Sequence, residues 1–294
     1  MKLSILTATY NRANYLSKLY ESIKENLKYN ITPEWIIVDD GSTDDTKNIV
    51  QGFIEENSII IKYMYQKNSG KMSAINEAVK MATGDLIVDC DSDDHFINNS
   101  FEIIEKYSEK LLNNENLYGL VFLKSEENEK ISGKEFAQKE HITTMFDLYF
   151  KEDISGEKII VYNSKIRKLY SHQLENNEKF ITEARMYHKM DEKYKLLAIN
   201  EVIEQGSYIE DGYTKNINKT FKECPYGYYM YFKELLQKDM KGVKISKRLY
   251  AIKHYILFGY LTKNKFNANL INDGFNRLLY IILYIPGIMK SRRF

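Results

Sequence analysis

The chain has 294 residues, 44% of them hydrophobic, with 42 Lys and Arg against 41 Asp and Glu. That composition excludes global disorder, two cysteines are too few for a disulfide scaffold or a zinc ribbon, and no 18-residue apolar run reads as a spanning helix. The near-zero net charge hides an asymmetry: residues 241–294 hold 11 basic residues and one acid, which leaves the preceding 240 residues at −9.

Leu3–Ala8 is apolar but is broken by Ser4 and Thr7 and stopped by Asn11-Arg12. No signal peptide is expected from it, and a cytoplasmic enzyme is the expectation. Leu3–Thr9 reads as a buried strand, and Leu16, Leu19, Tyr20 and Ile23 then fall on one helix face. Trp35–Val38 predicts a second strand and Asp45–Glu56 a helix. Ile59–Tyr65 predicts a third strand, followed by a helix over Ser73–Ala82 whose small face (Ala74, Ala78, Ala82) can lie close to a sheet. Leu86–Val88 predicts a fourth strand running into an acidic loop, then a helix over Ser100–Leu112 and a strand at Leu117–Phe122. Strands separated by helical crossovers imply a doubly wound, mainly parallel α/β sheet with helices on both faces. Further on, Ile159–Tyr162 and Lys195–Ile203 read as strands and Thr182–Met190 as a helix; from Cys224 the pattern is helical, aromatic and basic.

Ligands of such sheets bind beyond the carboxyl ends of the strands. Four polar clusters fall there: Thr7–Arg12, Asp39-Asp40-Gly41-Ser42, Asn68-Ser69-Gly70-Lys71 and Asp89–Asp94. The last holds four aspartates in six residues, which repel one another unless a cation compensates them, and carboxylate oxygens suit Mg²⁺ or Mn²⁺. A calcium loop counted from Asp89 would need Gly at position 94 and Glu at 100, where Asp and Ser stand. Ser69-Gly70-Lys71 fails as a P-loop because Tyr65 occupies the first glycine position and Met72 follows the lysine. Asp89-Cys90-Asp91 after a strand keeps a haloacid-dehalogenase-type phosphatase open as a rival.

Taken together, Thr7–Arg12, Val38–Asp44, Asn68–Lys71 with Asn76 and Ala82–Asp85, and Asp91–Asp94 resemble family-2 glycosyltransferases of GT-A fold over about residues 3–122. Gly156-Glu157-Lys158, Phe180–Glu183 and Asp211–Thr214 look like a bacterial subgroup linked to cell-surface polysaccharide synthesis. Two positions depart from the family pattern: Ala78 stands where glycine is usual, and Met72 where histidine is commoner. The resemblance implies an inverting, metal-dependent enzyme that moves a sugar from a UDP-sugar to a glycan or lipid-linked glycan. It assigns Thr7, Ala8, Tyr10, Arg12 and Ser92 to the nucleotide-sugar pocket, Asp39 to the uracil N3–H and Lys71 to the donor phosphates. Asp91 and Asp93 become the D-x-D pair for Mn²⁺ or Mg²⁺, Asp93 the direct ligand, with His95 a candidate for the same shell. The general base is a later carboxylate: Glu183 first, Glu178 in reserve.

The implied organisation is a catalytic domain over 1–222, with a nucleotide-sugar half (1–122) and an acceptor half (123–222), then a helical extension over 223–294. Basic and aromatic residues beside a short apolar run, Leu278–Ile285 stopped by Pro286-Gly287, suit a helix lying in an anionic lipid interface. This places the protein peripherally on the inner face of the cytoplasmic membrane. Nucleic acid is disfavoured as a partner; self-association through the same segment, and a non-catalytic sugar-nucleotide-binding role, stay open.

Overall fold

The computed structural model describes residues 1–206, 217–264 and 267–291, apart from the side chain of Lys290. Asp211–Thr214, with Lys265, Phe266, Arg292, Arg293 and Phe294 of the tail, lie outside the described residues.

The N-terminal half alternates as its hydrophobic periods demand: β1 (Lys2–Thr9), α1 (Ala13–Glu25), β2 (Thr32–Asp39), α2 (Thr46–Glu56), β3 (Ile60–Tyr65), α3 (Lys71–Met81) and β4 (Leu86–Asp89). Then come β5 (Asp94–Phe96), α4 (Ser100–Leu112), β6 (Leu117–Glu126), β7 (Glu140–Thr143), β8 (Lys158–Asn163), α5 (Ser164–Arg167), α6 (Ala184–Met190) and β9 (Lys195–Gly206). One sheet takes all nine strands in the order β3-β2-β1-β4-β8-β6-β9-β5, with β7 also on β9. Six strands run one way; β8 runs against β4 and β6, and β5 and β7 run against β9. The reversals matter for the site: the amino ends of β5 and β8 join the edge where the carboxyl ends of β1, β2, β4, β6 and β9 arrive.

Alternate side chains of the central strands enter opposite cores, the period-2 consequence of the pleat. Leu3, Ile5, Trp35 and Val88 meet Leu16, Tyr20 and Ile23 of α1, Val50 of α2 and Phe101 of α4. Leu6, Ile36, Val38 and Ile87 meet Ala74, Ile75 and Ala78 of α3 and Met186 of α6. Helices therefore cover both faces, as the sequence implies, and Ala78 is fully buried against the sheet. On the α3 side the completely buried Glu34 accepts from the Ser4 hydroxyl (2.6 Å) and the Thr83 amide (2.6 Å), and pairs with Lys2 and Lys62 (2.7 and 3.0 Å).

The short strands β5 and β7 have no periodic signal in three or four residues; pairing to β9 makes them strands. Beyond β9, α7 (Ile217–Glu223), α8 (Pro225–Leu235), α9 (Ile245–Leu261) and α10 (Gly274–Ser291) build a third, aromatic core with Phe146. Arg185 of α6 ties α8 down through Glu234, with Nε and Nη2 at 2.9 and 2.8 Å from its two oxygens. Pro286 ends the apolar run but not the last helix, which continues through it to Ser291. Pro286 lies on the exposed side, where water can satisfy the carbonyl its ring leaves free. Gly287 beside it lets α10 approach α9, because a Cβ there would lie 2.9 Å from Ile256.

Candidate active site

A cleft of about 1380 Å³ opens along the edge where the strand ends gather. That is larger than the ~300–1,000 Å³ of an ordinary small-molecule pocket. Its floor begins in the turn after β1: Ala8, Arg12 and the half-exposed Tyr10 line it. Asn11 sits at φ 52° and accepts from the Thr43 amide at 2.8 Å, so the β1 turn leans on the β2 turn. Asp40, buried beside it, accepts from the Ser69 and Gly70 amides (2.8 and 2.7 Å) and the Gln66 side chain (2.6 Å). Those bonds shape the turn that launches α3.

Gly70 has φ 97°, and a Cβ there would lie 1.8 Å from the Lys179 carbonyl oxygen. Only glycine allows the segment before α6 to fold down onto this turn. The result brings Lys71 and Glu183 together. Lys71 Nζ lies 2.8 Å from both carboxylate oxygens of Asp91 and 3.2 Å from Glu183 Oε1. The Tyr187 hydroxyl donates to Glu183 Oε2 at 2.8 Å. Burial alone would raise the Glu183 pKa, but Lys71, His172 and the Tyr187 hydroxyl outweigh it and bring it down to about 2. Burial likewise disfavours the Lys71 charge, and Asp91 and Glu183 overcome it, so the lysine stays firmly protonated.

The acidic loop lies across from this ammonium. Burial and then Asp91 push the Asp93 carboxyl above the ordinary carboxylate range. Asp94, at the start of β5, is buried and pairs with Lys124 at 2.6 Å, and Lys124 also reaches Glu157 at 2.6 Å. Glu204 on β9 is fully buried with no partner for either oxygen among the described residues, and Asp89 Oδ1 is also unpartnered. Burial, reinforced by Asp94, raises the Glu204 pKa well above the ordinary carboxylate range. Among the described residues no three His, Cys, Asp or Glu side chains stand close enough to hold a metal by themselves. A Mg²⁺ or Mn²⁺ ion commonly takes one or two carboxylates and completes its shell with substrate phosphate and water. Asp91 and Asp93, hard oxygen donors on a crowded anionic loop with orphaned carboxylate oxygens behind it, fit that requirement.

Of the residues predicted from sequence, Ala8, Tyr10, Arg12, Lys71, Asp91, Ser92, Asp93 and Glu183 line this one cleft. Thr7 does not. It is fully buried, accepts from the Trp35 indole at 2.9 Å and donates to the Cys90 carbonyl at 2.9 Å, so it braces β4 from below. Asp39 is 1% exposed beneath the rim, with Oδ1 taking the Ser42 amide and Oδ2 the Tyr63 hydroxyl, each at 2.7 Å. His95 faces Gln205 at 3.1 Å and is not part of the cleft wall. Glu178 accepts from the Tyr226 and Gly227 amides, both at 2.7 Å, and thereby caps the first turn of α8. It does not line the cleft, whereas Glu183 does. Met72 lines the cleft from α3. The residues missed from sequence are Lys124, Tyr187 and Glu204, and Glu157 enters the sequence reading only within Gly156-Glu157-Lys158, without a role. Lys124 and Glu204 had one available signal, a charge near the carboxyl end of an apolar strand; Glu157 reaches this edge only because β8 is reversed.

The family model described as "Glycosyl transferase family 2" matches residues 4–158, just over half the chain. The chain belongs to glycosyl transferase family 2. The chain is 34% identical over 113 residues to an uncharacterized glycosyltransferase of Mycoplasma genitalium, covering 37% of this chain and 38% of that protein. Against one of Nostoc it is 36% identical over 94 residues, covering 32% and 29%. The matches thus span well under half of these relatives' lengths. Among solved structures, S. aureus TarS in full superposes with a TM-score of 0.63 at 16% identity, over 100% of this chain and 54% of that one. TarS 1-349 in complex with UDP-GlcNAc gives 0.59 at 17% identity, over 100% and 92%. A Pyrobaculum calidifontis mannosyltransferase in complex with GDP-Man and Mn²⁺ gives 0.56 at 14%, over 99% and 85%. At these identities the likeness establishes the GT-A fold, and membership of the family leaves the haloacid-dehalogenase-type phosphatase without support.

Proposed function

We propose that the enzyme transfers a sugar from a UDP-sugar, with inversion and with a divalent cation, to a glycan or lipid-linked glycan. The observation that carries this reading is the placement of Glu183 one ammonium away from the acidic loop, on the wall of a cleft large enough for two substrates. The donor diphosphate would lie between Lys71 and Asp91–Asp93, with Tyr10 and Arg12 at the nucleotide. UDP and GDP-Man complexes of the fold neighbours support a nucleotide-sugar donor. Uracil would pair with Asp39 only by sharing an oxygen that already accepts from Ser42 or Tyr63. A cation held by Asp91 and Asp93 supplies stabilisation of charge on the departing diphosphate. Glu183 takes the proton of the acceptor hydroxyl while that oxygen bonds to the anomeric carbon and the bond to UDP breaks. Lys71 balances the charge that develops on UDP.

We also propose that residues 1–222 form the catalytic unit, 1–122 serving the donor and 123–222 the acceptor. Residues 223–294 would hold it peripherally on the inner face of the cytoplasmic membrane, with self-association as the alternative use of that segment. No helix among the described residues is long and apolar enough to cross a membrane.

The decisive experiment follows release of the free nucleotide (UDP, GDP, CMP or dTDP) from a panel of the corresponding nucleotide-sugars with Mn²⁺, EDTA and two variants. Asp93→Asn should cut turnover by roughly a hundredfold or more with the melting temperature unchanged. Glu183→Gln should cut it by about 10²–10⁴ while leaving UDP-sugar affinity near wild type. Full activity in EDTA would remove the metal from the reading, and loss of donor binding in Glu183→Gln would make that residue a donor contact.

A further inference from the structure

The cleft has a second charged pole, away from the acidic loop and built from three separate stretches of chain. Lys247 of α9 lies 2.7 Å from Asp153 Oδ1, Lys244 just before α9 lies 2.8 Å from Oδ2, and Lys134 lies 3.2 Å from Oδ2. Among the described residues these lysines have no other carboxylate partner, so three cations share one anion. Lys134, Lys247 and Asp153 line the cleft. The side chains of Lys134 and Lys244 are more than half exposed, so they keep donors free for a ligand. Asp153 sits at φ 60°, in the left-handed region that aspartate tolerates in turns. Two links connect this pole to the transfer site: the Tyr149 hydroxyl donates to the Gly156 carbonyl at 2.7 Å, and Glu157 next to it pairs with Lys124, the partner of Asp94.

We infer that this pole binds a phosphate group of the acceptor, and that Asp153 occupies the place of that anion when no acceptor is bound. The inference rests on the glycosyltransferase reading of the cleft and names the class of its second substrate. An uncharged glycan would gain nothing from two uncompensated ammonium groups, whereas a phosphate monoester, diester or diphosphate offers several oxygens for charge-assisted hydrogen bonds. Phosphate also carries enough charge to displace a single carboxylate from three cations. Tyr149 and Phe150, in the same wall, give a sugar or polyol next to that phosphate an aromatic surface to lie on. Two acceptor types share this chemistry: a lipid diphosphate-linked sugar and a phosphodiester-linked polyol or glycan chain.

Calorimetric titration of the full chain tests it, with UDP already bound and three probes compared. These are a short-chain polyprenyl-diphosphate N-acetylglucosamine, a glycerol phosphodiester hexamer and the uncharged octyl N-acetylglucosaminide. At least one phosphate probe should bind about tenfold or more tightly than the uncharged glycoside, and which one it is separates the two acceptor types. Lys134→Gln/Lys244→Gln/Lys247→Gln should erase that preference with UDP affinity unchanged. Asp153→Asn should do the opposite and tighten the phosphate probe several-fold, because it removes the competing internal anion. Equal binding of all three probes, or a preference untouched by both variants, overturns the inference while UDP binding leaves the donor reading intact. Failure of the wild type to bind UDP would instead strike the donor reading, and the probes titrated without UDP would still decide the anion site.

Discussion

Glu183 is under tension between its place and its proposed work. A general base acts best with a pKa near the working pH, yet Lys71 and its neighbours hold this one at about 2 in the donor-free protein. The same lysine is the proposed ligand of the donor diphosphate. When phosphate draws Lys71 away, the largest lowering influence on Glu183 weakens, and burial then moves its pKa upward. The active form is the carboxylate, so protonation cuts the rate on the acid side. The acid limb of kcat/KM, which reports the free enzyme, should therefore lie below the ordinary glutamate value of about 4.3. The limb of kcat, which reports the donor complex, should lie at higher pH. Rate profiles between pH 3 and 8 check this, and coincident limbs would mean that Lys71 never leaves Glu183.

At the scale of elements, the site depends on one turn meeting one irregular segment. Asp40 ties Ser69 and Gly70 with backbone hydrogen bonds, and Lys179 then lies directly over Gly70 while its ammonium donates to Asn68 at 2.7 Å. Gly70→Ala would have to accommodate both a positive φ and a Cβ inside the contact distance of a backbone carbonyl. It should cost at least about 2 kcal/mol of stability and move Lys179–Glu183 away from Lys71. Urea denaturation reads the first effect. The second should appear as a fall in turnover out of proportion to the loss of folded protein. A Gly70→Ala enzyme as stable and as active as wild type would show that the segment is not held by this contact.

For the whole molecule, the open question is what covers α10. Its inner side packs on α9, where the Tyr280 ring lies tilted against Tyr255 with centroids 5.6 Å apart. Its outer side presents Phe275, Leu278, Ile282, Ile285 and Met289, each about half exposed or more, at spacings of three and four that make one continuous stripe. The proposed occupant is the acyl–headgroup boundary of an anionic membrane, with the basic residues of the tail adding about 1 kcal/mol each near such a surface. Leu278→Glu/Ile282→Glu/Ile285→Glu leaves the packed side alone and should abolish co-sedimentation with phosphatidylglycerol vesicles. Wild-type binding should weaken in salt. A wild type that ignores vesicles, yet changes from dimer to monomer with these substitutions, would assign the stripe to self-association. Ending the chain near Lys238 is a poorer test, because the buried aromatics of α8 share their core with α9 and α10.

The sequence by itself determined the doubly wound sheet, both helical faces, the glycosyltransferase family and the polar clusters at the strand ends that line part of the cleft. Its strongest signals are local: strand and helix periods are carried by neighbouring residues, and Lys71, Asp91 and Asp93 follow directly from strand ends that a parallel sheet gathers on one edge. Tertiary structure decided what local pattern cannot carry. The first amides of α8 hold Glu178 away from the cleft, the segment folded over Gly70 sets Glu183 beside Lys71, and Thr7 is kept out of the cleft wall by Trp35 reaching across from β2. The short strands β5 and β7 exist through pairing to β9, and the reversal of β8 brought Glu157 to the active edge. In the sequence Lys244 and Lys247 belong to the basic segment read as membrane-binding and Lys134 carries no signal; only the docking of α9 beside Asp153 sets all three around one carboxylate. Contacts between residues far apart along the chain depend on how elements pack, and no period or motif records that.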